Sequence, residues 1–209
     1  MANGDIIEYG AIEAITSSGT HDFYSVSTVS HEPYDIVRLY PGKTDPQIDW
    51  VEYNYNNKKT YIAKSMRIHY ISYSESVNLC NNSNSTYTYT IDGINYVLTL
   101  MPEEFWTGLP SSICTLLQTD TSKKIYTNSP FYIDSTDYYY SVYFDGNDFS
   151  FDSESIGENT VDETYAFVPV LIQDNSFNDG NTVRFGRWIT NSGDYIYDNY
   201  DEINLSYEN

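Results

Sequence analysis

The eight residues Tyr165-Ala-Phe-Val-Pro-Val-Leu-Ile172 are apolar almost throughout. A strand of that composition has to be covered on both faces. Pro169 constrains it further: proline cannot donate to a ladder, so it must stand at an edge, a bulge or a strand end. Upstream, Asp137-Tyr-Tyr-Tyr-Ser-Val-Tyr-Phe144 and Phe149-Ser-Phe151 are aromatic and β-favouring, and Asp145-Gly146 between them is a turn signal. That pattern predicts a β-hairpin. The stretch from Asp137 to Ile172 is therefore expected to combine Tyr165 to Ile172 as a buried strand with Asp145 to Asp152 as an exposed loop.

Composition bounds the rest. A chain of 209 residues can build one sizeable core, or one domain with an appendage. Ten Lys+Arg against thirty Asp+Glu give a formal charge of −20, which disfavours nucleic acid and anionic membrane surfaces as partners. The acidity serves solubility first, with a cation site or a basic partner as the functional alternatives. Tyr is abundant, at 23 residues, while helix formers are sparse, so strands and turns are favoured over helices and disorder is not expected. No stretch approaches the roughly eighteen apolar residues of a membrane span, so no membrane insertion is expected. The Met-Ala-Asn-Gly-Asp start lacks a basic region and an apolar run, so no secretory signal is expected either. A surface of extracellular character without a leader suits a virion component released by lysis. Cys80 and Cys114 form no metal pattern; two buried free thiols are expected, with a disulfide as the alternative.

In chain order, residues 5 to 17 read as two short strands broken at Gly10. His21 to Ser30 reads as one half-exposed strand, Asp35 to Tyr40 as another, and Pro41 to Pro46 as a turn. Trp50 to Tyr55 alternates and turns through Asn56-Asn57-Lys58-Lys59 into Thr60-Tyr-Ile-Ala63. Met66 to Tyr73 is strand-like, and Cys80 to Ser85 is a polar loop. Asn81-Asn82-Ser83 and Asn84-Ser85-Thr86 match glycosylation acceptors, which have no use in a chain without a leader. Thr86 to Met101 is a hairpin turned at Asp92-Gly93. Pro102-Glu-Glu-Phe-Trp opens the only convincing helical region, proline and two acids suiting a helix start. A second short helix is expected from Ser111 to Gln118. Between Ile125 and Val183 there are eleven acids and no Lys or Arg. Asp174 to Asn181 is a polar loop, and Val183 to Thr190 with Tyr195-Ile-Tyr197 reads as a terminal hairpin. The expected division is a β-rich domain over residues 1–173 and a C-terminal hairpin appendage over 174–209.

Candidate chemistry is sparse. Only His21, His31 and His69 could serve as an imidazole base, and no Gly-x-Ser-x-Gly elbow is present. Paired carboxylates could serve glycoside hydrolysis, but among thirty acids some pair is close by abundance alone. No cofactor pattern is present. The one cofactor the chain admits is a structural calcium, held by Asp145, Asp148 and Asp152, or by the Asp174 to Gly180 cluster; ordinary Asx-rich turns are the favoured account of both segments. The tyrosines carry the remaining signal. Exposed Tyr offers a rigid ring and a polar tip, and carboxylates and amides can take sugar hydroxyls. On that basis Tyr138, Tyr139, Tyr140, Asp145, Asn147, Asp148 and Asp152 are candidate ligand-binding residues. The alternative for the tyrosines is cross-strand packing.

Three pieces are similar to a known family. Gly4-Asp-Ile-Ile-Glu-Tyr-Gly10, the Asp137 to Phe151 hairpin, and Tyr165-Ala-Phe-Val-Pro-Val-Leu-Ile172 resemble C-type-lectin-like modules, a fold related to the formylglycine-generating enzyme. The Asp92-Gly93-Ile-Asn-Tyr96 hairpin is similarly placed before the helical part. Ala166 and Val168 stand where the family has Gly and Arg, and the enzyme's catalytic cysteine arrangement is not visible. The resemblance implies a mixed α+β, β-rich binding scaffold whose late loops contact a ligand, of a kind common in phage tail and fibre proteins. The expected function is that of a non-enzymatic phage virion protein (tail, baseplate or fibre) binding a host cell-surface glycan or protein receptor. The alternatives are a structural virion subunit contacting other virion proteins and, less favoured, a secreted glycan-active enzyme. A homo-oligomer is expected by analogy with fibre-type attachment.

Overall fold

The computed structural model describes residues 3–25, 27–30, 36–81, 89–118, 123–133, 136–174, 182–183 and 203–204. They form a β-rich fold with three short helices. The strands are β1 Ile6–Tyr9, β2 Ala11–Ile15, β3 His21–Tyr24, β4 Ser27–Ser30, β5 Ile36–Tyr40, β6 Ile48–Tyr55, β7 Lys58–Ala63 and β8 Met66–His69. After helix α1, Tyr73–Asn81, come β9 Tyr89–Ile91 and β10 Ile94–Thr99, then α2 Glu103–Thr107 and α3 Ser111–Leu117. The chain continues through β11 Lys124–Ile133, β12 Thr136–Phe144, β13 Phe149–Gly157, β14 Tyr165–Phe167, β15 Val170–Gln173, β16 Thr182–Val183 and β17 Ile203–Asn204.

Six strands make an antiparallel sheet in the order β1-β6-β7-β15-β10-β9. Six more make a mixed sheet, β13-β12-β11-β14-β8-β4, in which β11–β14 and β8–β4 are parallel. A three-stranded sheet, β3-β2-β5, lies apart in pairing from both. β16 pairs with β17.

Two apolar clusters follow from strict alternation. In β6, Ile48 and Trp50 enter one cluster and Val51 the other; in β7, Tyr61 and Ala63 are split from Ile62 in the same way. The first cluster also takes Ile12, Ala14 and Leu39 of the small sheet, and the second takes Phe105, Trp106 and Ile113 of α2 and α3. Each face of the antiparallel sheet thus carries an apolar cluster.

The run from Tyr165 to Ile172 is corrected from one strand to two. β14 joins the mixed sheet and β15 the antiparallel one, with Val168-Pro169 as the crossing. Of the positions open to Pro169, the strand end is the one occupied; its carbonyl still accepts from the Ala63 amide at 3.0 Å. Alternation nevertheless continues through the break. Tyr165, Phe167 and Leu171 enter the first cluster, Val168 and Val170 the second, and Ile172 packs against the second. Covering on both faces explains the uninterrupted apolar run.

Two expected hairpins form, the first turned by Asn56 and Asn57 alone, with Lys58 and Lys59 already in β7. Asn56 and Asn57 lie at φ 49° and 61°, and Asp92 and Gly93 at 51° and 77°, each pair closing a two-residue hairpin with both central residues left-handed. Gly10 also separates two strands as expected, and they enter different sheets. Its φ is +57°, and a Cβ there would stand 2.9 Å from the Tyr40 carbonyl oxygen.

Four further expectations are corrected. His21 to Ser30 is two strands, β3 on the small sheet and β4 parallel to β8 on the mixed sheet. The Met66 run ends at His69, and Tyr73 begins α1, so the three helices are not confined to the region after Pro102. Cys80 lies on that helix instead of in a polar loop. Ser72 and Glu75 close a reciprocal capping box: the Ser72 amide donates to Glu75 Oε2 at 2.7 Å and the Glu75 amide to Ser72 Oγ at 3.3 Å. Asp152 is a β13 strand residue, not part of the exposed loop, which spans only Asp145 to Asp148. Both cysteines are free, Cys80 half-buried and Cys114 buried. The acceptor motifs beyond Asn81, the Asn175 to Asn181 loop and most of the expected terminal hairpin lie outside the described residues.

Gly10→Ala is expected to cost about 2–3 kcal/mol in urea denaturation, because left-handed strain adds to a backbone clash. Gly93→Ala, where nothing stands within 4 Å of the added Cβ, should cost only the strain, about 1 kcal/mol. Equal losses at the two positions would show that Tyr40 yields to the Gly10 methyl.

Candidate functional site

The hairpin of β12 and β13 carries every candidate binding residue, and the fold divides them into three environments. At the tip, Asp145 is spent on its own loop: Oδ1 accepts from the amides of Asn147 at 2.9 Å and Asp148 at 3.0 Å. Those hydrogen bonds hold the Asp145 carboxyl below the ordinary carboxylate range. Asp148 Oδ1 accepts from the Ser111 hydroxyl at 2.6 Å, which ties the tip to the start of α3. Asp145, Asn147 and Asp148 are all exposed. Their loop is fixed while its polar atoms remain turned to solvent.

Asp152 belongs to a different environment, only 8% exposed although it lies on the edge strand of the mixed sheet. Its register partner on β12 is Ser141, whose hydroxyl donates to Oδ2 at 3.1 Å. Lys124 Nζ reaches the same oxygen at 2.8 Å. The ion pair is closed by aromatic rings: Lys124 lies 5.6 Å over Tyr165, and Tyr165 stacks on Tyr126 at 5.5 Å. Tyr126 donates its hydroxyl to the Ile71 carbonyl, and burial pushes its phenol well above the ordinary range. Here a serine gives its hydrogen bond to a carboxylate already matched by a lysine. The arrangement holds β13 against the sheet and does not activate the oxygen.

Tyr138, Tyr139 and Tyr140 are placed along β12, Tyr138 opposite Gly157 and Tyr139 opposite Ile156 in register. Their side chains lie outside the described residues. Tyr143, two positions from Ser141 and absent from the expected set, is 40% exposed. It stands across β11 from Lys124 and across β13 from Ser150. Phe151, on the alternate face of β13, is 41% exposed. The hairpin therefore presents an aromatic side chain on each face.

For a cation, Asp145 and Asp148 serve the loop and α3, whereas Asp152 faces Lys124. Among the described residues no group of three or more His, Cys, Asp or Glu is placed to hold a metal ion. The alternative cluster from Asp174 lies outside the described residues except for Asp174 itself, which is buried and whose amide donates to the Asn95 carbonyl at 2.9 Å.

Among the described residues, the thiols sit in surroundings that suppress the thiolate. Burial pushes the Cys80 thiol up to about 12 and raises Cys114 as well, which removes thiolate at neutral pH. His69 is lowered, chiefly by burial and then by Lys123 and Arg67. No helix among the described residues is long and apolar enough to cross a membrane.

A second polar site was absent from the expected set. Glu13, on the otherwise apolar β2, is 3% exposed and accepts from His21 Nδ1 at 2.6 Å and Arg38 Nε at 2.5 Å. Arg38 is its direct partner across the small sheet. Beside it, Phe23 and Tyr40 meet edge to face at 5.6 Å, with Lys43 Nζ 4.2 Å over the Phe23 ring. A lone acid at the centre of Ala-Ile-Glu-Ala-Ile was the available signal, because a buried carboxylate requires partners.

Burial acts to raise the Glu13 carboxyl, but the Arg38 and His21 hydrogen bonds outweigh it and the net shift is downward. A depressed folded value stabilises fully above the unfolded value, about 4.3, and the stabilisation disappears as pH falls through the folded value. Glu13→Gln is therefore expected to be less stable than wild type at pH 7, with the gap narrowing below about pH 4 in denaturant titrations. A gap independent of pH would remove the charge from the account. Lys124→Met should destabilise by about 1–3 kcal/mol by leaving Asp152 without its cation. Comparison of the whole chain with family models, with curated proteins and with solved structures finds no match.

Proposed function

We propose that the chain is a non-enzymatic phage virion protein, of the tail, baseplate or fibre, that binds a host cell-surface glycan or protein receptor through the β12–β13 hairpin. The observation that carries this reading is the tip: exposed Asp145, Asn147 and Asp148 on a loop pinned by its own amides and by Ser111. A rigid polar loop gives up little entropy on binding. Exposed Tyr143 on the same hairpin supplies a ring of the kind that stacks on sugars or packs against a protein. The contact surface extends along β12 toward Tyr138, Tyr139 and Tyr140. A C-type-lectin-like module, with late loops as the ligand face, is the family reading that suits this placement, supported by the short motifs alone.

A structural virion subunit is the second reading, favoured by the long edge strand β13, which could lie against a neighbouring subunit. Adsorption separates the two. Asp148→Ala and Tyr143→Ala virions are expected to assemble normally and to adsorb at least about tenfold less, a loss of about 1.4 kcal/mol or more. Particles that fail to assemble would favour the structural role. Purified protein that turns over a cell-surface glycan would overturn the non-enzymatic reading, and full adsorption by both variants would overturn the hairpin as the contact.

A further inference from the structure

The end of β8 places a buried imidazole beside a strained turn. His69 is the last residue of that strand, in register with Ala166 of β14 on one side and Ser30 of β4 on the other. Its Nδ1 is buried and meets no hydrogen-bond partner. The next residue, Tyr70, has a left-handed backbone at φ 55°, a strained conformation for an aromatic residue. The Tyr70 ring lies 5.2 Å from the imidazole, and its hydroxyl donates to Glu163 Oε2 at 2.9 Å.

The chemistry of Nδ1 decides which protonation state the fold accepts. In a neutral ring this nitrogen can be a bare acceptor, whereas an imidazolium places an N–H there. A buried cationic N–H without an acceptor costs far more than a bare nitrogen. The charged neighbours act in the same direction. Among the described residues, Lys123 before β11 and Arg67 of the same strand oppose a positive ring, and Glu163 before β14 favours it. Glu163 already accepts from Tyr70, and Lys123 Nζ donates to its carbonyl at 2.5 Å. β4, Ser-Thr-Val-Ser, brings no titratable group. On β14 the one titratable residue, Tyr165, enters the first cluster, on the face opposite Ala166 and His69.

We propose that His69 and Tyr70 form an acid-sensitive latch: proton uptake by the His69 ring releases the end of β8 from β14 and β4 and lets the Tyr70 turn relax. Burial first, and then Lys123 and Arg67, hold the imidazole below its ordinary range. A folded value below the unfolded one, about 6.5, leaves stability intact above that pH. Stability is then lost as pH falls from there through the folded value, because the unfolded chain takes up the proton first. The latch is independent of the receptor reading, since β14 and β11 stand between β8 and the β12–β13 hairpin in the sheet.

The test compares the full chain with His69→Phe, which keeps a ring beside Tyr70, and with His69→Gln. Urea denaturation and amide hydrogen exchange, corrected for the intrinsic rate, are followed between pH 7.5 and 5.5. On acidification the wild-type folding constant is expected to fall at least about threefold relative to either variant. Exchange across residues 66–70 and 165–167 should quicken by a similar factor in the wild type, with β6 and β7 unchanged. In the native wild type the His69 ring resonance should titrate below about pH 6.5. A ring that titrates at or above that value would overturn the latch, and so would parallel pH profiles in wild type and variants. Faster exchange spread evenly over all strands would overturn it too, by making the acid loss a property of the whole fold. If neither variant folds, the wild-type ring titration and local exchange decide the question.

Discussion

The structure depends on one short segment being a member of two sheets. Tyr165 to Gln173 runs from the mixed sheet into the antiparallel one, and at both ends it lies between strands. β14 is flanked by β11 and β8, and β15 by β7 and β10. From Tyr165 to Leu171 every residue is buried, and only Ile172 and Gln173 at the end of the segment are half-exposed, so each of the first seven must be small or apolar enough for its place. The two apolar clusters meet along it, which makes them one cooperative unit instead of two separable cores.

A tight crossing recurs at two other changes of sheet. Gly10 moves it from the antiparallel to the small sheet, Ser65 from the antiparallel to the mixed sheet, and Val168-Pro169 back again. Gly10 and Ser65 both have left-handed backbones, φ 57° in each case. Proline at the third crossing lacks the N–H that would continue a ladder. At these three crossings pairing with one neighbour ends without a long loop, whereas β8 reaches β9 through α1 and β10 reaches β11 through α2 and α3.

That economy decides what was legible. The Asn56-Asn57 and Asp92-Gly93 hairpins, the Gly10 break and the Asp145-Gly146 turn are local events, and the residues that cause them are adjacent in sequence. α1 was missed although Ser72-x-x-Glu75 is a capping box, because the helix it opens, Tyr-Ser-Glu-Ser-Val-Asn-Leu-Cys-Asn, has weak helix formers and few apolar residues; tertiary packing of Tyr73 and Val77 supplies what propensity does not. The site residues were half legible. Loop residues Asp145, Asn147 and Asp148 follow from turn chemistry, but Asp152 is decided by register. Ser141 stands opposite it, and Lys124 lies outside the base-free run that drew attention to the hairpin. Glu13 and Arg38 are 25 residues apart and meet only because β2 and β5 pair. No local pattern encodes such a pairing.

Scarcity of cations gives this electrostatic arrangement its consequence. Arg38 is matched to Glu13, Lys59 to Glu52, Lys64 to Asp49 and Lys124 to Asp152. In three of these pairs the carboxylate is nearly excluded from solvent, which is where an unpaired charge would cost most. With ten bases for thirty acids, cations placed beside buried carboxylates cannot also neutralise the surface. The surplus of acids is left on segments that lack bases, above all the hairpin and the loop of Glu158, Asp162 and Glu163 that follows it. The hairpin is thereby both firmly held and acidic: Lys124 anchors its inner carboxylate, and its tip carboxylates accept the hydrogen bonds that fix the loop. A surface made this way repels anionic polymers at a distance and rewards a partner that brings cations or hydrogen-bond donors, because those complete an arrangement the chain's own composition leaves open.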